Sequence, residues 1–218
     1  MAVELYDEHE QGERVRKWIR EYGISIVTGL VLAFGGIFGF RYWQDYQANQ
    51  KILAANLFSV IQADVDAGQS EQAAQRFTEL QAESPRSAYV GLGALLLASA
   101  YVEEGRLQSA VALYQDLLEH RRMESLWPLA RLRLARLLEA QGDTAEALRL
   151  LEAVAPPPGH EGAWAELRGD LLFALGRSDE ALAAFEQALQ QSDQRGFGRR
   201  LLQMKIDATA PGDEGNRS

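Results

Sequence analysis

Residues 104–120, EGRLQSAVALYQDLLEH, carry the pattern that decides the fold. A glycine stands at 105, an alanine follows five positions later at 110, and apolar residues recur three and four apart. This apolar spacing is typical of one face of an α-helix. A glycine before such a helix indicates a turn, because glycine adopts the positive φ that closes a preceding helix without steric cost. The stretch therefore predicts the turn and second helix of a helical hairpin.

The same pattern occurs four times along the chain. The glycines are separated by 37, 37 and 34 residues, and an alanine follows each one five positions later. The four glycine and alanine pairs are Gly68 with Ala73, Gly105 with Ala110, Gly142 with Ala147, and Gly176 with Ala181. A small residue is expected at these positions because the two helices of each hairpin approach closely there. Tandem repeats of this period predict an all-α solenoid of about four helix hairpins.

Two segments after the third hairpin interrupt or end the pattern. The stretch Pro156-Pro157-Pro158-Gly159 cannot be helical and is predicted to be the loop that joins the third hairpin to the fourth. Residues 197–209, FGRRLLQMKIDAT, are predicted to form one more amphipathic helix that covers the open end of the stack. The repeat domain is accordingly expected over 44–207, with a disordered tail over 208–218.

An uncharged run near the N-terminus predicts a single transmembrane helix. Residues 22–40, YGISIVTGLVLAFGGIFGF, contain no charge, and a helix of this length spans roughly 28 Å, close to the hydrocarbon thickness of a bilayer. A cleaved signal peptide is disfavoured because aromatic and basic residues follow the run directly. A buried core helix would show a polar stripe, whereas only Ser25 and Thr28 interrupt the run. With its aromatic flanks, the span is predicted over 22–43.

The charges around the run predict its orientation. Four basic residues precede it within the first 21 positions, and the fifteen residues that follow it contain two. By the positive-inside bias, segment 1–21 is expected in the cytoplasm and the repeat domain in the periplasm of a bacterium with two membranes. The chain has no cysteine, so the domain depends on no disulfide. The expected location is a bacterial inner membrane.

Glycines in the span suggest a contact within the membrane. Gly35 and Gly39 form a G-x-x-x-G pair, and Gly29 lies six residues before Gly35. Small residues four apart allow another helix to approach closely enough for backbone packing. We therefore regard Gly29, Gly35 and Gly39 as candidate packing positions for a partner helix.

Composition and motifs give no support for catalysis. His9, His120 and His160 have no metal-ligand spacing, and no nucleotide-binding or nucleophile motif is present. Glu103 and Glu104 are adjacent, which is better explained by solvated charges beside a turn than by acid–base catalysis. From residue 41 onward, 18 basic and 25 acidic residues give an acidic domain that would repel nucleic acid and anionic lipid. We expect no enzyme activity, cofactor or metal.

The spacing resembles that of the tetratricopeptide repeat. The small position of that family, seven residues before the turn glycine, is matched by Ala98, Ala135 and Gly169. The leucine before it is matched by Leu97 and Leu134 and replaced by Arg168. The aromatic of the second helix is matched by Phe77, Tyr114 and Phe185, with Leu151 in the third hairpin. The first hairpin diverges, with Ile61 and Asp64 at positions where the family has a small and an aromatic residue.

A second resemblance covers nearly the whole chain. Its marks are Val15-Arg16-Lys17-Trp18 before the span, Gly39-Phe40-Arg41-Tyr42-Trp43 at its end, residues 163–170 (AWAELRGD) and Gln203-Met204-Lys205-Ile206. In order and spacing they resemble the YfgM-type ancillary subunits of the bacterial SecYEG translocon. The resemblance implies a single-pass inner-membrane protein of type II orientation. It also implies that the periplasmic domain passes exported proteins to chaperones, together with a PpiD-like membrane-anchored chaperone.

In such a solenoid the first helices of the hairpins line a concave surface suited to an extended peptide or a partner helix. By analogy with peptide-binding relatives, the candidate groove positions are Ser99, Arg136, Glu166, Asp170 and Phe173. The alternative for these residues is a merely solvated charged face. The alternative for the whole protein is a structural scaffold of another inner-membrane or cell-envelope complex.

Overall fold

The computed structural model describes residues 4–191 and 197–209, and in these ranges the chain is helical without a β-strand. A short 3₁₀ helix, Arg121–Leu126, lies between the fourth and fifth α-helices. The nine α-helices of the described ranges are α1 (Glu4–Asp66), α2 (Ser70–Glu83), α3 (Ala88–Glu103), α4 (Leu107–Glu119), α5 (Trp127–Ala140), α6 (Thr144–Glu152), α7 (Glu161–Ala174), α8 (Ser178–Gln191) and α9 (Phe197–Thr209). The described residues form two compact units, divided between Leu53 and Ala54.

The first unit is the N-terminal part of α1 and contains the uncharged run. In the described ranges it is the one helix that is both long and apolar enough to cross a membrane, and none of its apolar window is buried. Aromatic rings pair near both ends of the run, Trp18 with Tyr22 at 6.0 Å and Phe40 with Trp43 at 6.1 Å between ring centroids. Rings of this kind are enriched at membrane–water interfaces. The predicted N-terminal span therefore has the length and flanks of a membrane anchor.

The second unit consists of helix pairs joined by the predicted glycine turns. Gly68, Gly105, Gly142 and Gly176 have φ values of 71°, 75°, 91° and 74°, so the predicted positive φ is confirmed at all four turns. α3 packs against α4, α5 against α6, and α7 against α8, while the turn at Gly68 connects the end of α1 to α2. The alanines five positions after the glycines, Ala73, Ala110, Ala147 and Ala181, are completely buried. The all-α solenoid of about four hairpins is confirmed.

The core of this unit follows the tetratricopeptide-like pattern. The aromatic positions Phe77, Tyr114 and Phe185 are buried, as is Leu151 at the corresponding place in the third pair. At the small position of the fourth pair, a Cβ added to Gly169 would lie 2.5 Å from the Phe185 ring. This contact explains why the helix has glycine there, since even alanine would overlap the ring.

The interruptions also fall where the sequence predicts them. The polyproline stretch lies between α6, which ends at Glu152, and α7, which begins at Glu161. The terminal helix α9 occupies residues 197–209 as predicted, packs against α8 and buries Leu202. Of the predicted tail, Ala208 and Thr209 belong to α9, and residues 210–218 lie outside the described ranges. The 3₁₀ helix was not predicted; its residue Met123 is buried against α3.

Candidate functional site

Two of the predicted groove residues share one cation. Glu166 and Asp170 are four residues apart on α7, and both face the ammonium group of Lys205 on α9. Lys205 Nζ donates to Glu166 Oε1 at 2.9 Å and to Asp170 Oδ2 at 2.8 Å. The same ammonium lies 5.5 Å from the centroid of the Phe185 ring. The C-terminal helix therefore supplies the counter-ion for the acidic face of α7.

The three side chains are partly withdrawn from water. Lys205 is 24% exposed, Glu166 19% and Asp170 33%. Burial by itself lowers the pKa of Lys205, but the hydrogen bonds to Asp170 and Glu166 outweigh burial and raise that pKa above its ordinary value of 10.5. Lys205 therefore remains an ammonium ion at any physiological pH.

The carboxylates around Lys205 outnumber it. Burial raises the pKa of Asp170 above its ordinary value of 3.8, and the hydrogen bond from Lys205 only partly offsets this effect. The pKa of Glu139 on α5 is also raised above its ordinary value of 4.5, chiefly by burial and then by the nearby Asp170 carboxylate. The charge of Arg136 offsets part of this increase. We name Arg136, Glu139, Glu166, Asp170 and Lys205 the charged cluster. With three carboxylates and two cations, it attracts a further positive or hydrogen-bond-donating group.

The structure thus brings three predicted groove residues together. Glu166 and Asp170 lie at the centre of the charged cluster, and exposed Arg136 acts on Asp170 electrostatically from α5. Phe173 lies about one turn beyond Asp170 on α7 and is 49% exposed. Ser99 is half-buried on α3, and no hydrogen bond or ion pair between described residues joins it to the cluster.

Sequence analysis missed two members of the charged cluster. Glu139 lies three residues after Arg136 on the same helix, so the spacing was available as a signal. Lys205 lies in the stretch Gln203-Met204-Lys205-Ile206, but its partners are 35 and 39 residues away. No local pattern indicates which face of α9 turns toward α7.

A second polar group joins the first two helix pairs near the turns. Ser70 donates to Glu104 at 2.9 Å, and Arg106 bonds Glu71 at 2.6 Å while lying over the Tyr101 ring at 4.1 Å. Glu104 is therefore a structural acceptor between α2 and the α3–α4 turn. This arrangement gives the carboxylate a role in packing one pair against the next.

The candidate packing glycines present an open surface on α1. An added Cβ at Gly29, Gly35 or Gly39 would meet no atom of the described chain within 4 Å. Gly35 and Gly39 are one turn apart and share a helix face. The neighbouring positions are exposed as well, among them Leu32 and Phe38.

The helix pairs define the class of the protein. A positive-φ glycine turn, a small residue in the first helix and a buried aromatic in the second are the features of tetratricopeptide-like arrays. The profile of the family described as tetratricopeptide repeat-like domain matches residues 16–211. The chain belongs to this family.

Two relatives match from end to end. A protein of Escherichia coli named ancillary SecYEG translocon subunit is 29% identical over 208 residues, which are 94% of this chain and 98% of the relative. A protein of Haemophilus influenzae with the same name is 30% identical over 209 residues, 95% of this chain and 99% of the relative. These matches include both the apolar helix and the repeats, so the chain is a YfgM-type member of the family.

Solved structures resemble the second unit in fold. The crystal structure of a tetratricopeptide repeat protein from Parabacteroides merdae superposes with a TM-score of 0.58 at 18% identity, covering 72% of this chain and 59% of that one. At this identity the likeness concerns the fold alone.

Proposed function

We propose that this chain is a non-enzymatic ancillary subunit of the Sec translocon in a bacterial inner membrane. In this proposal α1 spans the membrane with the basic N-terminal segment in the cytoplasm, and the repeat domain lies in the periplasm. There it links proteins emerging from the channel to periplasmic chaperones, a PpiD-like membrane-anchored chaperone among them. The work is done by protein–protein contacts.

The observation that carries this proposal is the end-to-end match to relatives named ancillary SecYEG translocon subunit. Because the match spans 98–99% of each relative, the anchor and the repeats occur together in the same order. A shared fold alone would not support this conclusion, because repeat arrays serve many unrelated functions. A match that includes both the membrane anchor and the repeats supports a shared location at the translocon.

The charged cluster and Phe173 suggest what kind of segment the domain takes. The exposed Phe173 lies about one helical turn from Asp170, whose carboxyl pKa burial raises. A partner segment with an apolar side chain and a neighbouring basic group would cover Phe173 and offset the excess negative charge. Such segments occur in exported proteins before they fold, since these expose apolar residues.

Site-specific photocrosslinking in intact cells tests the proposal. A photoreactive amino acid is placed at Leu32 on the glycine face of α1, and at Arg136 and Phe173 on the first helices. Gln115 and Glu186, exposed on second helices, are the matched controls. We expect Leu32 to crosslink to a translocon subunit, and Arg136 and Phe173 to crosslink to exported chains or a periplasmic chaperone more strongly than the controls do.

The same crosslinks distinguish the alternative. Crosslinks only to cell-envelope assembly proteins, with no translocon subunit, exported chain or chaperone among the products, would instead support the structural scaffold and reject the translocon role.

Replacing Gly35 and Gly39 together with leucine is expected to reduce co-purification with membrane partners several-fold. The two side chains would fill the open face where a second helix needs close backbone approach. The repeat domain should retain its helical circular dichroism and its melting temperature. Recovery of the complex from mild detergent is the measurement. Ala33→Leu is the control, because Ala33 is exposed and is turned by more than about 100° from both glycines on the helix. Equal recovery for the double variant and for wild type would reject this interface.

A further inference from the structure

The seam between the third and fourth helix pairs holds a pocket of about 210 Å³. It is bounded by the end of α6, the loop after it, α7 and α8. Val154, Pro156 and Trp164 contribute apolar walls, while Arg168 and Gln187 contribute polar groups. None of the cluster residues around Lys205 lines it, so the pocket is a separate feature of the domain.

The pocket exists because α6 is short. α6 has 9 residues, whereas the second helices α2, α4 and α8 have 14, 13 and 14. The three consecutive prolines from Pro156 prevent the helix from continuing, since proline lacks the amide hydrogen and clashes with the preceding turn. Leu151 and Glu152 at the end of α6 line the pocket together with Val154 of the loop. The end of the short α6 and the loop after it thus form one side of the pocket.

An arginine lines the pocket at a position where the second and third pairs have leucine. Leu97 and Leu134, at the corresponding positions, are each 2% exposed and belong to the core. Arg168 Nε is buried and has no hydrogen-bond partner among the residues that the structure describes. A buried donor without an acceptor costs free energy that a leucine would not cost. The position therefore keeps a group that does not serve the stability of the domain.

Neighbouring groups do not satisfy this arginine. Glu180 feels its charge, but the Glu180 carboxylate is bonded to Arg177 at 2.7 and 2.6 Å. The indole of Trp164 already donates to the Leu151 carbonyl at 3.2 Å. Arg168 thus lines the pocket and carries a donor that no described residue accepts from.

We propose that this pocket binds one aspartate or glutamate side chain of a partner protein, with the carboxylate on Arg168 and an adjacent apolar side chain against Trp164 and Pro156. Guanidinium groups pair with carboxylates through charge-assisted hydrogen bonds. Glu152 and Glu161 on the lining repel anions, so the contact with Arg168 must outweigh this repulsion for one carboxylate, and highly acidic segments and phosphate groups are excluded. The site therefore selects a single carboxylate between apolar or basic residues.

Peptide binding to the full chain in detergent tests this assignment. The probes carry a neutral fluorophore and have the sequence Gly-Lys-Leu-Glu-Leu-Lys-amide, the same sequence with Gln in place of Glu, and the Gln sequence with a free C-terminal carboxylate. Fluorescence anisotropy gives the dissociation constants. We expect the Glu peptide to bind at least about tenfold more tightly than the Gln amide.

Arg168→Leu is the decisive variant, because leucine occupies this position in the second and third pairs and the domain should fold. It is expected to lose the preference for Glu, whereas the matched control Arg76→Gln, an exposed arginine on α2, should keep it. Equal binding of the Glu peptide and the Gln amide, retained preference in Arg168→Leu, or no binding of the Glu peptide up to about 1 mM would each overturn the proposal. Equal binding of the free-acid and Glu peptides would overturn the assignment to a side chain in favour of a C-terminus.

Discussion

Replacing Phe185 with alanine is expected to lower the free energy of unfolding of the repeat domain by about 3–5 kcal/mol. Phe185 is 1% exposed and fills the groove that Gly169 leaves on α7. Loss of the ring would open a cavity between α7 and α8 and remove the surface over which Lys205 lies. Because the fourth pair supports α9, the cap should loosen at the same time. Urea unfolding followed by circular dichroism measures the change.

Phe173→Ala is the matched control for this substitution. Phe173 is the same residue type on α7 but is 49% exposed, so its loss should change stability by about 0.5 kcal/mol or less. The two variants also separate stability from binding, since Phe173→Ala is expected to weaken the crosslinking of partner chains to a photoreactive amino acid at position 136. Comparable destabilisation by both variants would mean that Phe185 does not anchor the α7–α8 core.

Replacing Lys205 with methionine is expected to destabilise the domain by about 1–2 kcal/mol at neutral pH. Methionine keeps much of the apolar stem, but Glu166 and Asp170 lose their shared cation and face each other with Glu139 nearby. Breaking a fully buried ion pair would cost more stability than this. The expected loss is smaller here because these charged groups are partly exposed to water. Arg200→Met, an exposed position on the same helix, is the control and should be close to neutral.

The pH dependence of the Lys205→Met deficit has a definite sign. The folded pKa of Lys205 is raised, so its stabilising effect is complete below pH 10.5 and is lost only as pH rises through the folded pKa. Without Lys205, which lowers them, the raised folded-state pKa values of Asp170 and Glu139 rise further. A carboxyl group whose pKa is raised in the folded state stabilises the fold at pH values below its unfolded-state pKa of about 4. This stabilisation is lost as the pH rises through the folded-state pKa.

The difference between wild type and Lys205→Met should therefore be largest near pH 7 and shrink toward pH 4. Urea unfolding at several pH values measures it. A deficit that is constant from pH 4 to pH 7 would show that lost packing, and not lost charge, is responsible.

The sequence was informative wherever a residue's role depends on its own backbone or on its own hairpin. The turn at Gly105 follows from the positive φ that glycine tolerates, and the loop at Pro156 follows from the missing amide hydrogens. The buried position of Ala110 follows from the close approach of two helices joined by a short turn. These constraints are local, so a single sequence carries them.

The contacts that the sequence did not predict depend on how successive helix pairs are rotated against one another. Lys205 meets Asp170 across 35 residues only because α9 turns one particular face to α7, and no spacing within α9 fixes that rotation. The burial of Met123 in the 3₁₀ helix likewise depends on contacts with α3. Arg168 was visible as a departure from the repeat pattern, but its buried, unpartnered Nε became apparent only from the packing of the seam.

The pairing of α9 with α7 also restricts how such a chain can evolve. Repeat arrays lengthen when a helix pair is duplicated in tandem and the new copy stacks on the old. A pair inserted after α8 would carry Lys205 away from Glu166 and Asp170, leaving both the lysine and the carboxylates without partners at opposite faces of the insert. Insertions between earlier pairs would leave that match intact. In this lineage, duplications are therefore expected upstream of α7, with the last pair and its cap inherited as one block.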